Sequence, residues 1–259
     1  MQRYFIELAY KGTHYYGWQK QPGQTSVQEV LEDAFTTILG KVFDITGCGR
    51  TDTGVHARQY FAHFNFDGDF PPAFLRRINR FLPADIAIQR IFPVHWDAHA
   101  RFDAFQRSYE YHLGFRKDPF SMESTYFYPY QQLPDLEKMK EAAALLLNYQ
   151  DFYPFCKSNH GAKTTECNLS RSEWVYDPAT DKAIYHVSAN RFLRGMVRLI
   201  VGACLNIGLG KMSLEELQIA MDRQERLRKS TSAPPEGLSL TSIRYPFIDE
   251  AGNYVPPGI

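Results

Sequence analysis

Strand-like and helix-like segments follow each other in the same order twice along this chain of 259 residues. In the first half, strand, helix, strand and helix patterns lie at residues 3–10, 27–39, 60–66 and 71–80. In the second half, the same order recurs at residues 107–115, 135–148, 183–189 and 192–209. A repeated order of elements is typical of two related α+β halves. We therefore predict a first half at residues 1–104 and a second half at residues 105–259.

The segment from Val27 to Leu39 gives the clearest helix pattern. Its apolar residues recur at helical spacing: Val27, Val30, Leu31, Ala34, Phe35, Ile38 and Leu39. Thr25 or Ser26 fits the N-cap, and Gln28 or Glu29 can complete a capping box. Gly40 marks the end of the helix. This pattern predicts an amphipathic helix that packs one face.

Beyond this helix, a lone acid lies in a glycine-rich stretch that runs from Gly47 to Ala57. Its glycines permit sharp turns and the close approach of a ligand to the main chain. The acid is Asp52, and Arg50 and His56 flank it with possible donors. Asp52 can be a nucleophile, or it can cap a structural turn and pair with Arg50. Spacing alone leaves both interpretations open.

Charge and hydropathy narrow the class of protein. The hydrophobic content of 44% can supply a substantial core. No apolar run approaches the ~20 residues of a membrane span, and the start lacks a secretory apolar segment, so we predict a cytoplasmic protein. Lys+Arg 29 balance Asp+Glu 29, so contact with nucleic acid requires local basic clusters. Such clusters occur at Arg76, Arg77 and Arg80, at Arg191, Arg194 and Arg198, and at Arg223, Arg226, Arg228 and Lys229.

Four cysteines are scattered along the chain without a C-x-x-C pair: Cys48, Cys156, Cys167 and Cys204. This pattern argues against a disulfide framework and against a closed zinc site. Cys156, His160 and Cys167 lack an evident fourth ligand and have irregular spacing. We therefore predict reduced thiols and no metal site.

The glycine-rich stretch resembles a family motif. Gly49 to Ala57 is similar to the catalytic motif G-R-T-D-A-G-V-H of the tRNA pseudouridine synthase A family, with Thr53 in place of the usual Ala. Other family landmarks follow in order: Glu7 to Gln19, Thr25 to Glu29, Asn79 to Ile86, His99 to Phe102, Tyr109 to Tyr111, Met196 to Gly202 and Ala233 to Leu238. The resemblance runs from Tyr4 to about Pro246, which is nearly the whole chain.

The resemblance implies a fold and an activity. The fold is the pseudouridine synthase fold, α+β, in which two related halves share an extended, mainly antiparallel sheet with helices outside and a central basic cleft. The activity is the isomerisation of uridine to pseudouridine in the anticodon stem-loop of tRNA, at tRNA positions 38, 39 and 40. No cofactor is implied. The expected partners are tRNA and a second copy of the chain in a homodimer, with no membrane.

The resemblance also implies roles for individual residues. Asp52 is the expected nucleophile, Arg198 the arginine that pairs with it, and Tyr109 the ring that stacks on the displaced uracil. Arg50 helps to displace the base or holds a phosphate, and Leu238 and Leu240 form an apolar wall under the uracil. Without the resemblance, Tyr109 reads as a core residue of a strand. The apolar neighbours of Arg198 indicate partial burial, where a charge needs a partner.

Two other classes of function remain open. The first is an RNA-binding module without catalysis. The intact set Asp52, Tyr109 and Arg198 argues against it, because a binder has no need of an acid that faces an anionic ligand. A glycoside hydrolase or a nuclease needs a second catalytic carboxylate or metal-binding acids. Asp44, Asp67 and Asp69 show no such motif.

Overall fold

The structure is a computed structural model that describes residues 1–157 and 163–256. Over these ranges it is an α+β protein with a nine-stranded, mainly antiparallel sheet and five α-helices. The strands are β1 Gln2–Tyr10, β2 Thr46–Gly47, β3 His56–Phe66, β4 Ile86–Val94, β5 Gln106–Gly114, β6 Tyr126–Phe127, β7 Leu169–Asp177, β8 Lys182–Ala189 and β9 Leu238–Arg244. The helices are α1 Val27–Leu39, α2 Phe74–Phe81, α3 Leu136–Leu145, α4 Met196–Gly208 and α5 Leu214–Arg223. The predicted α+β class is confirmed. In the described ranges, no helix has the length and apolar character that crossing a bilayer demands.

Contacts within the chain group it into two compact units. The first unit combines Met1–Gln106 with Leu240–Ile259, and the second is Arg107–Ser239. The predicted division at residue 104 treats the halves as consecutive in sequence and stays a prediction, whereas the described residues from Leu240 onward group with the first unit. Tyr245 shows the reason, because its ring meets those of Phe5 and Phe61 at 5.4 and 5.2 Å.

In the first unit, β1 lies between β4 and β3 and is antiparallel to both. The short strand β2 pairs with β3, so that Thr46 lies opposite His63. Helix α1 packs on this sheet through Phe35, whose ring meets that of Phe64 at 5.0 Å. The apolar stripe of α1 thus supplies the hydrophobic contact that holds the helix in place.

The predicted boundaries of α1 are confirmed. The Ser26 side chain is the N-cap and accepts a hydrogen bond from the Glu29 backbone N–H at 3.2 Å. Gly40 ends the helix in the left-handed region, with φ of 68°. A residue with a Cβ resists this conformation, which explains why glycine stands there.

In the second unit, β8 lies between β5 and β7 and is antiparallel to both. The register places Tyr111 opposite Tyr185, and both side chains are buried. Helix α4 is buried along most of its length, as its nearly continuous apolar sequence Met196-Val197-Arg198-Leu199-Ile200-Val201 requires.

Helix α4 begins later than predicted. Its first residue is Met196, not Phe192. The reason is Gly195, which adopts a left-handed φ of 72° at the N-cap and breaks the helix pattern before it. In the described ranges, the sequence patterns also failed to predict six of these strands and helices, namely β2, β4, β6, β7, α5 and β9.

A buried histidine in the first unit gives the fold a dependence on pH. His63 is 6% exposed, and its Nδ1 accepts a hydrogen bond from the Ala100 backbone N–H at 3.1 Å. Burial, followed by the neighbouring His99 and Arg3, lowers the pKa of His63 from 6.5 to about 4. The unfolded chain therefore binds more protons than the folded chain between these two values. Stability is fully present above pH 6.5 and is lost as the pH falls towards 4.

We expect the free energy of unfolding to fall by ~2 kcal/mol between pH 7 and pH 5 because of His63. Denaturant titrations across this range measure the fall. The matched variant is His63→Asn, whose side-chain oxygen can still accept from Ala100 but does not titrate. Part of the dependence of the free energy of unfolding on pH remains in the variant, since burial also lowers the pKa of His99. An equal fall in the free energy of unfolding in both proteins between pH 7 and pH 5 would contradict the assignment to His63.

Candidate active site

The Asp52 loop, which we define as residues 48–55, leaves the sheet of the first unit at the end of β2. The Cys48 backbone N–H donates to the Phe61 carbonyl at 2.8 Å, and the Tyr60 hydroxyl donates to the Gly49 carbonyl. At the next turn, the Thr51 hydroxyl and the Tyr10 hydroxyl share a hydrogen bond at 2.9 Å. The loop is therefore anchored at its start to β3 and to the end of β1.

Asp52 itself stands at a tight turn. Its backbone carbonyl accepts from the Val55 N–H at 3.1 Å, and Gly54 in this turn has a left-handed φ of 78°. The Asp52 side chain is half-buried, whereas the side chains of Arg50 and Thr53 are exposed. The turn predicted from the glycines is present.

A second segment, residues 11–18, packs against the Asp52 loop, and we call it the supporting segment. The Gly54 N–H donates to the Tyr15 carbonyl at 3.3 Å. The Gly12 N–H donates to Nδ1 of His56 at 2.9 Å, and the His56 side chain is buried. His56 thus accepts a hydrogen bond at Nδ1 and ties the two segments together. Its predicted role as a donor beside Asp52 stays a prediction.

Two glycines let this support come very close to the loop. A Cβ on Gly12 would lie 2.0 Å from the Val55 carbonyl oxygen, and a Cβ on Gly17 would lie 2.2 Å from the Thr51 carbonyl oxygen. Gly17 also has a left-handed φ of 81°. Only glycine satisfies both conditions at position 17. The supporting role of this segment was missed at the level of sequence, although the spacing of its glycines was visible.

Aromatic side chains and one carboxylate fix the supporting segment. The Trp18 ring stacks on that of Tyr60 at 4.1 Å. The Tyr15 hydroxyl donates to Oδ1 of Asp85 at 2.6 Å, and the Lys11 N–H donates to the Asp85 carbonyl at 2.9 Å. Burial and this carboxylate raise the pKa of Tyr15 well above 10, so its hydroxyl stays a donor.

In the second unit, Tyr109 lies on β5 and is half-buried. Its ring meets Phe192 edge-on at 5.2 Å and 90°. Tyr111, two residues along the same face, is fully buried and donates its hydroxyl to the Pro234 carbonyl at 3.0 Å. Tyr111 is thus a core residue of the strand, whereas Tyr109 is only half-buried.

Arg198 lies in the first turn of α4 and is half-buried, as the sequence predicted. Its Nε donates to the Ala233 carbonyl at 2.7 Å, and the Ala233 N–H donates to the Arg198 carbonyl at 3.0 Å. A Cβ on Gly202 would lie 1.8 Å from the Thr231 carbonyl oxygen, so this segment lies directly against α4. The pairing of Arg198 with Asp52 stays a prediction.

The other predicted side chains differ in their exposure. Arg50 is exposed, and its role stays a prediction. Leu238 is only 5% exposed and Leu240 only 2%. An apolar wall made by these two residues would therefore offer a ligand little surface, and that role also stays a prediction.

The cysteines are all buried thiols. Burial raises the pKa of Cys167 to about 11, which keeps that thiol protonated and weakly reactive. His160, considered with Cys156 and Cys167 as a possible ligand, lies outside the described residues. In residues 1–157 and 163–256, no group of three His, Cys, Asp or Glu side chains is arranged to hold a metal ion.

Comparison with known proteins gives one consistent result. Residues 8–103 and 142–246 match a family described as tRNA pseudouridine synthase. The chain is 44% identical over 249 residues to a tRNA pseudouridine synthase A of Porphyromonas gingivalis, which covers 95% of this chain and 98% of the relative. It is 36% identical over 262 residues to that of Neisseria meningitidis, which covers 100% and 96%. The resemblance seen in the Asp52 loop is confirmed, and the chain belongs to the tRNA pseudouridine synthase A family.

Proposed function

We propose that this chain converts uridine to pseudouridine in tRNA and that Asp52 is its nucleophile. Membership of the family makes the chain an isomerase that acts on tRNA. The observation that carries the assignment to Asp52 is its place in the loop. A half-buried carboxylate stands in a loop that hydrogen bonds attach to β1, to β3 and to the supporting segment.

The reaction needs a carboxylate and little else. The glycosidic bond between N1 and C1′ breaks, the uracil turns, and a bond forms between C5 and C1′. The C5 proton leaves and N1 gains a proton, so the reaction is balanced without an oxidant or a group donor. A carboxylate can act on the sugar or the base as a nucleophile and can then accept the C5 proton. Asp52 is suited to both steps.

The rigidity of the Asp52 loop favours this role. Catalytic groups act efficiently only when their position is fixed to within a fraction of an ångström before the substrate arrives. Backbone hydrogen bonds and glycine contacts fix the Asp52 loop through the main chain. The carboxylate therefore needs little reorganisation to act.

We assign supporting roles to two residues of the second unit. Arg198 pairs with the carboxylate of Asp52, since a guanidinium group forms strong hydrogen bonds with a carboxylate. Tyr109 stacks on the uracil once the nucleotide has left the helical stack. The half-burial of both side chains supports these roles, because a ligand contact requires a surface that the fold has not covered.

The direct test is incubation of the purified protein with unmodified tRNA, followed by nucleoside analysis. We expect pseudouridine and no free uracil. Free uracil would favour a glycoside hydrolase, and tRNA binding without any product would favour a binding module. Either outcome would overturn the proposed reaction.

The proposal also covers which uridines of tRNA are modified and the oligomeric state of the protein. We propose that the modified uridines are those at tRNA positions 38, 39 and 40 of the anticodon stem-loop. Replacing these uridines one at a time by cytidine, and counting the pseudouridine formed, tests this choice. We also propose a homodimer, which light scattering with and without tRNA measures directly.

Two substitutions at Tyr109 separate stacking from folding. Tyr109→Phe keeps the aromatic ring and should keep base stacking. Tyr109→Leu removes the ring and should weaken transition-state binding by ~1 to 3 kcal/mol, which is the worth of one stacked base. Melting temperature and single-turnover rate are measured together for both variants.

Because the ring is half-buried, both Tyr109 variants should fold with nearly unchanged melting temperatures. A purely structural tyrosine would behave differently, since removal of a buried ring leaves a cavity and lowers stability. Loss of stability in Tyr109→Leu with a normal rate in the folded fraction would remove Tyr109 from the site.

A further inference from the structure

Helix α2 carries an exposed and strongly basic surface in the first unit. We define the α2 surface as Arg76, Arg77 and Arg80 together with Leu75 and Phe81. All three arginines are exposed, and Leu75 and Phe81 are 37% and 54% exposed. The helix has eight residues, and its sequence FLRRINRF contains no acid. Positive charge and accessible apolar area thus occur together on one short element.

A shallow groove runs between α2 and β4 beside this surface. Arg76 and Arg80 line one side of it, and Ile88 and Gln89 of β4 line the other. Arg76 and Arg80 are one helical turn apart on the same side of the helix, a spacing that brings Cβ atoms to within ~5–6 Å of each other. Arg76 and Arg80 therefore line the groove from neighbouring turns of the helix.

The groove is preformed because α2 is fixed to β4. The Asn79 amide donates to the Ile88 carbonyl at 2.7 Å and accepts from the Ile88 N–H at 2.8 Å. On the inner side, Phe74 stacks on Phe70 at 4.9 Å and meets Phe35 at 5.6 Å. A ligand in this groove would find its walls already ordered, so binding costs little conformational entropy.

The arginines are not explained by contacts within the chain. In residues 1–157 and 163–256, none of these three guanidinium groups forms an ion pair, whereas Arg90 on the neighbouring β4 binds Glu7. Arg76 and Arg77 also lie near the positive N-terminal end of the helix dipole, where cations are unfavourable. The first turn of α2 contains no acid. A face selected only for solubility and helix stability would carry the opposite charge there.

We propose that the α2 surface binds the phosphate backbone of the tRNA substrate, with Arg76 and Arg80 on neighbouring phosphates of one strand. Guanidinium groups suit phosphates because they can donate two parallel hydrogen bonds. Leu75 and Phe81 contact the sugar or base edges beside these phosphates. The nature of the RNA rests on the proposed function.

The chain that follows α2 connects this surface to the Asp52 loop. Asp85, just before β4, binds the Tyr15 hydroxyl at 2.6 Å, and the Tyr15 carbonyl accepts from Gly54 in the loop. RNA held by α2 would thus be held by an element that is itself tied to the support of Asp52. The surface positions the substrate and takes no part in the chemical step.

The test is the salt dependence of tRNA binding by the double variant R76Q/R80Q. Each lost phosphate contact lowers the slope of log affinity against log salt by about 1, so we expect the slope to fall by about 2. Affinity is measured in the Asp52→Asn background, where no turnover interferes. Melting temperature should be unchanged, because both side chains are exposed.

The matched control is K138Q/K140Q. These lysines lie on α3, with Lys138 exposed and Lys140 half-buried. Both have carboxylate partners, with Lys138 at 3.8 Å from Asp135 and Lys140 at 2.7 Å from Glu137. The control removes the same charge but should leave the slope unchanged. An unchanged slope in R76Q/R80Q, or an equal fall in both double variants, would overturn the proposal. Absence of pseudouridine with the unaltered protein would instead overturn the proposed function and leave this measurement intact.

Discussion

Replacement of Asp52 by Asn is expected to abolish pseudouridine formation while tRNA affinity stays the same or rises slightly. The amide has nearly the size of the carboxylate but is neither a nucleophile nor a base. Loss of the charge also removes a repulsion towards phosphate. We expect the single-turnover rate on unmodified tRNA to fall at least ~1,000-fold, as when other enzymes lose an essential catalytic group. Filter binding of the same tRNA gives the affinity.

Asp44→Asn is the matched control for Asp52→Asn. Asp44 is an exposed acid that precedes the Asp52 loop in the same unit. Its replacement should leave the rate unchanged. A large loss in Asp44→Asn would indicate a second essential carboxylate and would revive the hydrolase alternative. Pseudouridine formation near the normal rate in Asp52→Asn would remove Asp52 from its proposed role.

Replacement of Gly17 by Ala is expected to lower activity severely without touching any side chain of the site. The new methyl group would lie 2.2 Å from the Thr51 carbonyl oxygen, so the Asp52 loop or its support must move. A displacement of ~1 Å at a catalytic group can cost ~100-fold in rate. The left-handed backbone adds a conformational penalty of ~1–2 kcal/mol for alanine. Single-turnover rate and melting temperature measure the two effects.

Gly23→Ala separates these two effects. Gly23 has a similar φ of 72°, but no atom lies within 4 Å of the position of its Cβ. The variant should therefore show the loss of stability without the loss of activity per folded molecule. Equal rates per folded molecule in Gly17→Ala and Gly23→Ala would show that the close approach to Thr51 does not position the loop.

Local signals predicted the elements that local interactions form. The signals that define α1 are all local in sequence: Ser26 at its start, its apolar stripe, and Gly40 at its end. A short window of sequence therefore contains all the information needed to predict this helix. Strand β7 differs, because its sequence LSRSEWVYD is largely polar and buries mainly Ser172 and Trp174. Its pairing with β8 decides that it is a strand, and such pairing is not visible in a short window.

The site shows the same division between local and distant information. Asp52 was proposed from the sequence because its motif is continuous. The support by Tyr15 and Gly17 was not predicted, since it depends on segments that only the fold brings together. A glycine next to a distant backbone looks the same in sequence as a glycine in an open turn, as Gly17 and Gly23 illustrate.

The way in which the Asp52 loop is held has a practical consequence for chemical biology. The loop is held mostly through its main-chain atoms, and Thr53 is exposed. Position 53 can therefore accept a foreign group, such as a photoreactive amino acid, without loss of the turn at Asp52. Illumination of a complex would attach that group to whichever nucleotide lies over the loop. The residue that departs from the usual family motif thus offers a handle for identifying the target uridine.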